Sequence, residues 1–244
     1  MQGKVALVTG GARRVGAAIA RQLHGAGASV LLHYRDSEAD AARLEAELNA
    51  ARPKSAAKVK AELLAPVAPR ALVSAALDSF GRLDILVNNA SSFFPVAVGA
   101  MESSHWEELI GSNLRAPLFI AQQAAGELAK NEGCIVNIVD IHAERPLKGY
   151  ALYSIAKAGL AAMTRALALE LAPRVRVNGV APGAIAWPED GQFPDEERAR
   201  IIATTPLART GSADDVARAV LFLAAAPYVT GQIVAVDGGR SIFI

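Results

Sequence analysis

The chain has 244 residues, 52% of them hydrophobic, and its 25 basic side chains all but cancel its 24 acidic ones. That length and apolar content fit one α/β domain with ample core, and near-neutral charge without a basic cluster interleaved with aromatics excludes the footprint of a nucleic-acid binder. A single cysteine, Cys134, excludes an internal disulfide and any cysteine-based metal cluster, and the four histidines at 24, 33, 105 and 142 lack metal-ligand spacing.

Met1-Gln2-Gly3 shows no signal-peptide pattern, and no apolar run reaches the roughly 18 residues that would span a membrane, so a cytoplasmic protein acting on a small molecule is expected. Residues 4–9 form a continuous apolar run rich in β-branched side chains, the pattern of a parallel strand covered on both faces. The run breaks at Gly10-Gly11-Ala12-Arg13-Arg14-Val15-Gly16; helix-forming sequence follows to Gly27, then a second strand at 29–34. A glycine turn between strand and helix lets backbone N–H groups approach a pyrophosphate, which the positive helix terminus also favours, so this unit predicts dinucleotide binding.

The end of the second strand selects the dinucleotide. An acid there would hold a ribose 2′-hydroxyl, whereas a 2′-phosphate needs cations. Tyr34 and Arg35 stand at the deciding place, and Arg13 can approach the same phosphate from the glycine turn, which favours NADPH. Asp36, about 20 residues after Gly16, is the contrary signal: it is either the ribose acid or, with Ser37, the N-cap of a helix over 38–51.

Residues 55–60 predict a third strand with Glu62 and Leu63 at its carboxyl end, where an acid either accepts from an adenine amino group or faces solvent. A helix over 66–80 and a fourth strand over 83–87 lead to Asn88-Asn89-Ala90-Ser91, whose amides suit bonding of the neighbouring backbone and of a ribose. Ser92-Phe93-Phe94-Pro95 follows on the same edge, its aromatics either stacking on a flat ring or packing on the protein. Helical sequence over 104–128 contains Asn113, whose amide can bond a backbone carbonyl or an ordered water, and Pro117, which marks a kink or a new first turn. A fifth strand over 134–139 delivers Asp140 to the edge where open α/β sheets bind ligands; Asp140 is a functional acid or a hydrophilic strand terminus.

A helix starting near Tyr150 carries Tyr153-Ser154-Ile155-Ala156-Lys157. Helical positions four apart share a face, so the phenol and the ammonium approach one small space, where the cation would favour the ionised phenol. YxxxK alone also occurs on surface helices; its setting distinguishes it here. A sixth strand over 175–180 ends in Ala181-Pro182-Gly183, and residues 184–205, polar and proline-containing, predict an irregular substrate loop. A helix over 214–225, a seventh strand over 232–236 and the turn Asp237-Gly238-Gly239 complete one domain, 1–244. The predicted fold is α/β: a single Rossmann-like doubly wound domain, its seven-stranded parallel sheet flanked by helices.

Glycine turn, NNA, YxxxK and PG, in that order over almost the whole chain, resemble the short-chain dehydrogenase/reductase family. Most members of that family carry a serine where this chain has Asp140. TGGARRVG, LLHYR, NNASSFFP, Asp140 and PLKGYALYSIAK jointly resemble the pteridine reductases, which reduce dihydropterins, and in some members pterins and folates, with NADPH. Where those enzymes read HYxRS, this chain reads HYRDS, displacing the arginine by one place.

The resemblance implies that Asp140, Tyr153 and Lys157 form the catalytic group, with Asn113 supporting the lysine through water. It lays the cofactor along Gly10, Arg13, Arg14, Val15, Gly16, Tyr34, Arg35, Glu62, Leu63, Asn89, Ala90, Ser91, Tyr153, Lys157, Pro182 and Gly183. Phe93 would cover one face of the pterin and nicotinamide the other, with Arg14 between phosphates and substrate and Ser91 near both. Tyr153 would give a proton to the ring nitrogen beside the hydride-accepting carbon. Lys157 would fix the cofactor ribose and lower the phenol's pKa, and Asp140 would bond the tyrosine or the basic edge of the pterin. A homotetramer is also implied. The alternatives are a relative acting on a 3-oxoacyl thioester or a sugar or steroid carbonyl, and a dinucleotide-binding regulator without turnover.

Overall fold

Successive residues of a strand point to opposite faces, so a strand covered on both sides must be apolar throughout. The computed structural model, which describes residues 1–185, 187 and 193–242, places such strands at the centre of a sheet. Its order is β3-β2-β1-β4-β5-β6-β7, all parallel, with β1 at Val5–Val8, β2 at Ser29–Tyr34, β3 at Ala56–Lys60, β4 at Ile85–Asn88, β5 at Cys134–Ile138, β6 at Arg176–Pro182 and β7 at Ile233–Val236. The central strands β1, β4 and β5 are buried along their whole length, whereas β3 and β7, at the edges, are partly exposed.

Ala6 and Val8 face a core built with α1 (Arg14–Gly25), α2 (Glu38–Ala51) and α8 (Ala213–Ala225), represented by Leu23, Leu44 and Val220. Leu7, between them, faces α3 (Ala68–Phe80), α5 (Ala116–Lys130) and α6 (Ala151–Glu170) through Leu72, Ile120 and Ala168. The doubly wound architecture read from the sequence is therefore the one found. Strand order reverses between β2-β1 and β4, and the crevice at the carboxyl ends there is where a parallel sheet offers room for a ligand.

Three stretches differ from expectation. The helix read over 104–128 is α4 (Ser103–Ile110), a π-turn at Gly111–Arg115 and then α5, with Pro117 in the first turn of α5 directly after the π-turn. Residues 184–205, expected to be an irregular loop, include α7 (Asp195–Ala203): Asp195, Glu196 and Glu197 fill its first turn, where the helix dipole favours acids, and Ile201 is buried. Residues 186 and 188–192 of that stretch lie outside the described residues. Ser37 stands at the N-cap position of α2 but makes no side-chain cap bond.

The glycine turn is tight enough to require its glycines. Gly10 has φ +60, a left-handed conformation, and a Cβ on Gly16 would stand 2.0 Å from the Gly10 carbonyl oxygen. Gly16→Ala should therefore lower the unfolding free energy by about 2–3 kcal/mol, the usual cost of forcing an extra carbon into a packed site. It should also abolish dinucleotide binding, as read by urea melts and cofactor fluorescence. Parent-like values for both would show that the turn can open without loss.

Candidate active site

Side chains from three strands converge on the crevice. At the end of β4 the Asn89 amide donates to the carbonyls of Thr9 (2.9 Å) and Gly10 (3.1 Å), while Thr9 Oγ1 accepts from the backbone N–H groups of Asn89 (2.9 Å) and Ala90 (3.1 Å). The NNA segment thus ties the glycine turn to its neighbour strand. Beyond it, Ser92 is gripped by the α4 and π-turn region: Asn113 Nδ2 donates to the Ser92 carbonyl at 2.9 Å, and Ser92 Oγ donates to Glu108. Asn113 also donates to the Leu109 carbonyl at 3.0 Å, and its Oδ1 is buried without a partner among the described residues. This grip sets Phe93 against Tyr150, stacked with centroids 4.6 Å apart, and edge-on to Tyr153 at 4.7 Å; the Phe193 ring lies nearly parallel to it at 6.3 Å.

Asp140, just beyond β5, uses both carboxylate oxygens. Oδ1 accepts from the His142 N–H at 2.8 Å, capping the short 3₁₀ turn Ile141–Ala143, and Oδ2 accepts from the Tyr153 hydroxyl at 2.7 Å. One turn along α6, Lys157 donates to the Ile138 carbonyl at 2.9 Å, its Nζ 5.6 Å from the Tyr153 ring centroid. Tyr153 and Lys157 are both buried.

Burial, then the Asp140 charge and the hydrogen bond to it, push the Tyr153 hydroxyl well above its ordinary value. The expectation that Lys157 lowers this pKa is corrected: the lysine is committed to a backbone carbonyl, whereas the carboxylate touches the phenol. Burial brings Lys157 itself down to about 8, against an opposing pull from Asp140.

Every site residue named from the sequence except Asn113 lines one cleft of about 830 Å³. Asn113 lies fully buried behind the Ser92 loop. At the glycine turn Arg13 gives α1 no side-chain cap, which leaves the helix start without a capping acceptor and fits a phosphate. Arg14, the first residue of α1 with φ 50, donates to the Trp187 carbonyl at 3.3 Å. Arg13 pairs with Asp40 at 3.4 Å, and Arg35 with Asp36 at 2.8 Å, with Glu108 (3.8 Å) and Glu62 (3.9 Å) nearby. Asp36 thus serves Arg35 rather than capping α2.

Sequence reasoning passed over His33, Glu108, Tyr150, Trp187 and Phe193, all lining or shaping this cleft. His33 stands inside the LLHYR motif and was within view; the others carry no periodic signal. Among the described residues no group of His, Cys, Asp and Glu could hold a metal ion, and no helix is long and apolar enough to cross a membrane.

A parallel sheet with a glycine turn at its switch point and a buried tyrosine–lysine pair beside it defines a dinucleotide-dependent oxidoreductase. The sequence model of the family described as enoyl-(acyl carrier protein) reductase matches residues 10–241, and the chain belongs to the short-chain dehydrogenase/reductase family. Pteridine reductase 1 of Leishmania tarentolae is 42% identical, over 98% of this chain and 96% of its own. A putative ketoacyl reductase of the granaticin polyketide synthase of Streptomyces violaceoruber is 37% identical over 98% and 96%, and a 3-oxoacyl-(acyl-carrier-protein) reductase of Staphylococcus aureus 35% over 97% of each chain. The family and these relatives imply a nicotinamide dinucleotide cofactor.

The lysine's depressed pKa carries a linkage consequence. Between pH 8 and its unfolded value of about 10.4 the unfolded chain binds more protons at Lys157 than the folded one, so stability rises with pH in that window. Relative to a Lys157→Met variant, which lacks this group, the parent should gain about 2–3 kcal/mol of unfolding free energy between pH 7 and 10, measured by urea melts. A constant difference would mean that the buried lysine keeps its proton.

Proposed function

We propose that this enzyme uses NADPH to reduce a pterin, a dihydropterin and, by extension, pterin or dihydrofolate. The observation that carries this reading is the 2.7 Å bond from Tyr153 to Asp140, a carboxylate at the strand end where most of the family has a serine. The 42% identity to a pteridine reductase over nearly the whole of both chains supports the same substrate class. NADPH is favoured by Arg13 and Arg35, which flank the end of β2 and can exchange their carboxylate partners for a 2′-phosphate.

The bound cofactor supplies a hydride to the imine carbon of the dihydropterin. The chain's own residues do the rest. Phe93, held by Ser92 and backed by Tyr150, covers one face of the flat ring. Tyr153, kept protonated by its surroundings, turns its O–H from Asp140 to the adjacent ring nitrogen and gives up the proton. Asp140, half-buried, returns a proton from solvent to the phenolate, and the Lys157 ammonium steadies that phenolate while it exists and holds the cofactor ribose. Asn113, with its orphaned Oδ1, supports the lysine through a bound water. The net change is one hydride and one proton added across C=N. The enzyme acts as a cytoplasmic homotetramer, consistent with Phe119, Ile155 and Phe222 being large apolar side chains exposed on α5, α6 and α8.

A second reading, reduction of a 3-oxoacyl thioester, draws on the ketoacyl reductases among its relatives. NADPH oxidation by the purified protein should be measured with dihydrobiopterin, dihydrofolate and acetoacetyl thioester. Turnover of the pterin is expected, with loss of at least about 100-fold in kcat for Tyr153→Phe and for Asp140→Ser, and NADPH affinity within about threefold of the parent. Activity on the thioester alone would discard the pterin reading. Equal inertness of parent and Tyr153→Phe, with both still binding NADPH, would point to a regulator without turnover.

A further inference from the structure

The geometry points to His33 as a positioning residue for the cofactor: its neutral imidazole holds the glycine turn in its binding shape through a hydrogen bond that a residue with an acceptor at the same place would preserve. The inference rests on the dinucleotide-binding reading above. His33 lies near the end of β2 and is buried, although imidazole is polar and titratable. Both ring nitrogens are used. The Gly10 N–H donates to Nδ1 at 3.0 Å, and Nε2 lies 3.1 Å from the Ala61 carbonyl, just past the end of β3.

Those partners fix the tautomer. A backbone N–H can only donate, so Nδ1 is the acceptor and carries no proton; a carbonyl can only accept, so Nε2 carries the hydrogen. The ring is therefore neutral, and burial, its largest influence, lowers its pKa in agreement. An imidazolium would set N–H against N–H at Gly10 and break the contact.

The place of these bonds gives them their consequence. Gly10 opens the turn with φ +60, and its peptide neighbours are held from both flanks of β1: the N–H by His33 of β2, the carbonyl by Asn89 after β4 at 3.1 Å. The His33 carbonyl also accepts from the Gly11 N–H at 2.9 Å, so two successive turn residues are pinned to one strand residue. On its other side the ring secures Ala61, which precedes Glu62 and Leu63 on the cleft wall. One side chain thus joins the phosphate-facing turn to the opposite rim of the cleft. Without the Nδ1 acceptor, the turn must be ordered at the expense of cofactor binding, so affinity falls while chemistry at the far end of the dinucleotide does not.

Two uncharged substitutions separate the two bonds. His33→Asn places a carbonyl oxygen near the position of Nδ1 and keeps the Gly10 bond; His33→Gln extends its amide toward the position of Nε2 and keeps only the Ala61 bond. Dissociation constants of NADPH and NADH, from cofactor fluorescence, should rise about tenfold in His33→Gln and stay within about threefold of the parent in His33→Asn. In the Gln variant the cofactor KM should rise in parallel, with kcat at saturating cofactor within about twofold of the parent. Equal affinities in the two variants would overturn the inference, and so would a Gln variant that binds like the parent. Should either variant fail to fold, the imidazole nitrogen resonances of the parent decide: an Nε2–H tautomer at pH 7 supports the staple, and an Nδ1–H or doubly protonated ring overturns it. A parent that binds neither dinucleotide would bring down the dinucleotide reading itself, whereas a binding parent with indifferent variants would bring down only the role of His33.

Discussion

A phenol and a carboxylate share one hydrogen at the head of β5, inside a wall of buried side chains, and the electrostatics of the cleft follow from that contact. In water the pair would be unremarked, since neither group would give up its solvent for the other. Where solvent is excluded, the carboxylate resists a second negative charge beside it, and the phenol keeps its proton far above neutral pH. Lys157 stands behind the same face of α6 with its own proton weakened by burial, so its ammonium persists at neutral pH but without a wide margin. An acid that stays loaded, and a cation near enough to receive the charge left when it unloads, are what a step of proton delivery requires.

The contact exists because of where a parallel sheet ends its strands. Asp140 follows β5, the Asn89 segment follows β4 and the glycine turn follows β1, and β1, β4 and β5 are consecutive neighbours in the sheet. Their carboxyl ends therefore lie side by side, although the residues they deliver are some 50 to 130 positions apart in the chain. The helix that brings Tyr153 crosses this edge, and the π-turn at Gly111–Arg115 supplies the grip on the Ser92 loop. A π-turn puts an extra residue into one helical turn and leaves local bonding irregular. Here Asn113 occupies it and sends its amide outward to a loop as well as back to the helix.

Much of this was legible because it is written in local pattern. β2 at Ser29–Tyr34 and α2 at Glu38–Ala51 fall within the bounds read from the chain, and all but one of the proposed site residues line a single cleft, since motifs at strand ends share an edge by topology. What was missed depends on distances that spacing does not encode. Tyr153 and Lys157 do share a helix face, yet the tyrosine's pKa is raised by burial and then by Asp140, thirteen residues upstream, which reaches the hydroxyl while the lysine turns to Ile138. α7 was hidden by its charge and by the proline just before it, because a helix with three acids in its first turn and few apolar positions resembles loop sequence until Ile201 is seen to be buried. His33 passed as part of a strand because nothing in a chain announces which backbone groups a side chain will meet.

The charge at Asp140 also bears on which double bond such a site favours. Reducing a ketone builds negative charge on oxygen, and a carboxylate 2.7 Å from the Tyr153 hydroxyl disfavours an anion beside it. Reducing an imine runs the other way: the nitrogen is basic, and its protonated form is a cation that the same carboxylate attracts. A serine in this position would be indifferent to that sign, offering a neutral hydroxyl to either. On the pterin reading proposed above, the aspartate would favour a substrate protonated before it is reduced, and the Phe93 ring, backed by Tyr150, would lie against its flat face.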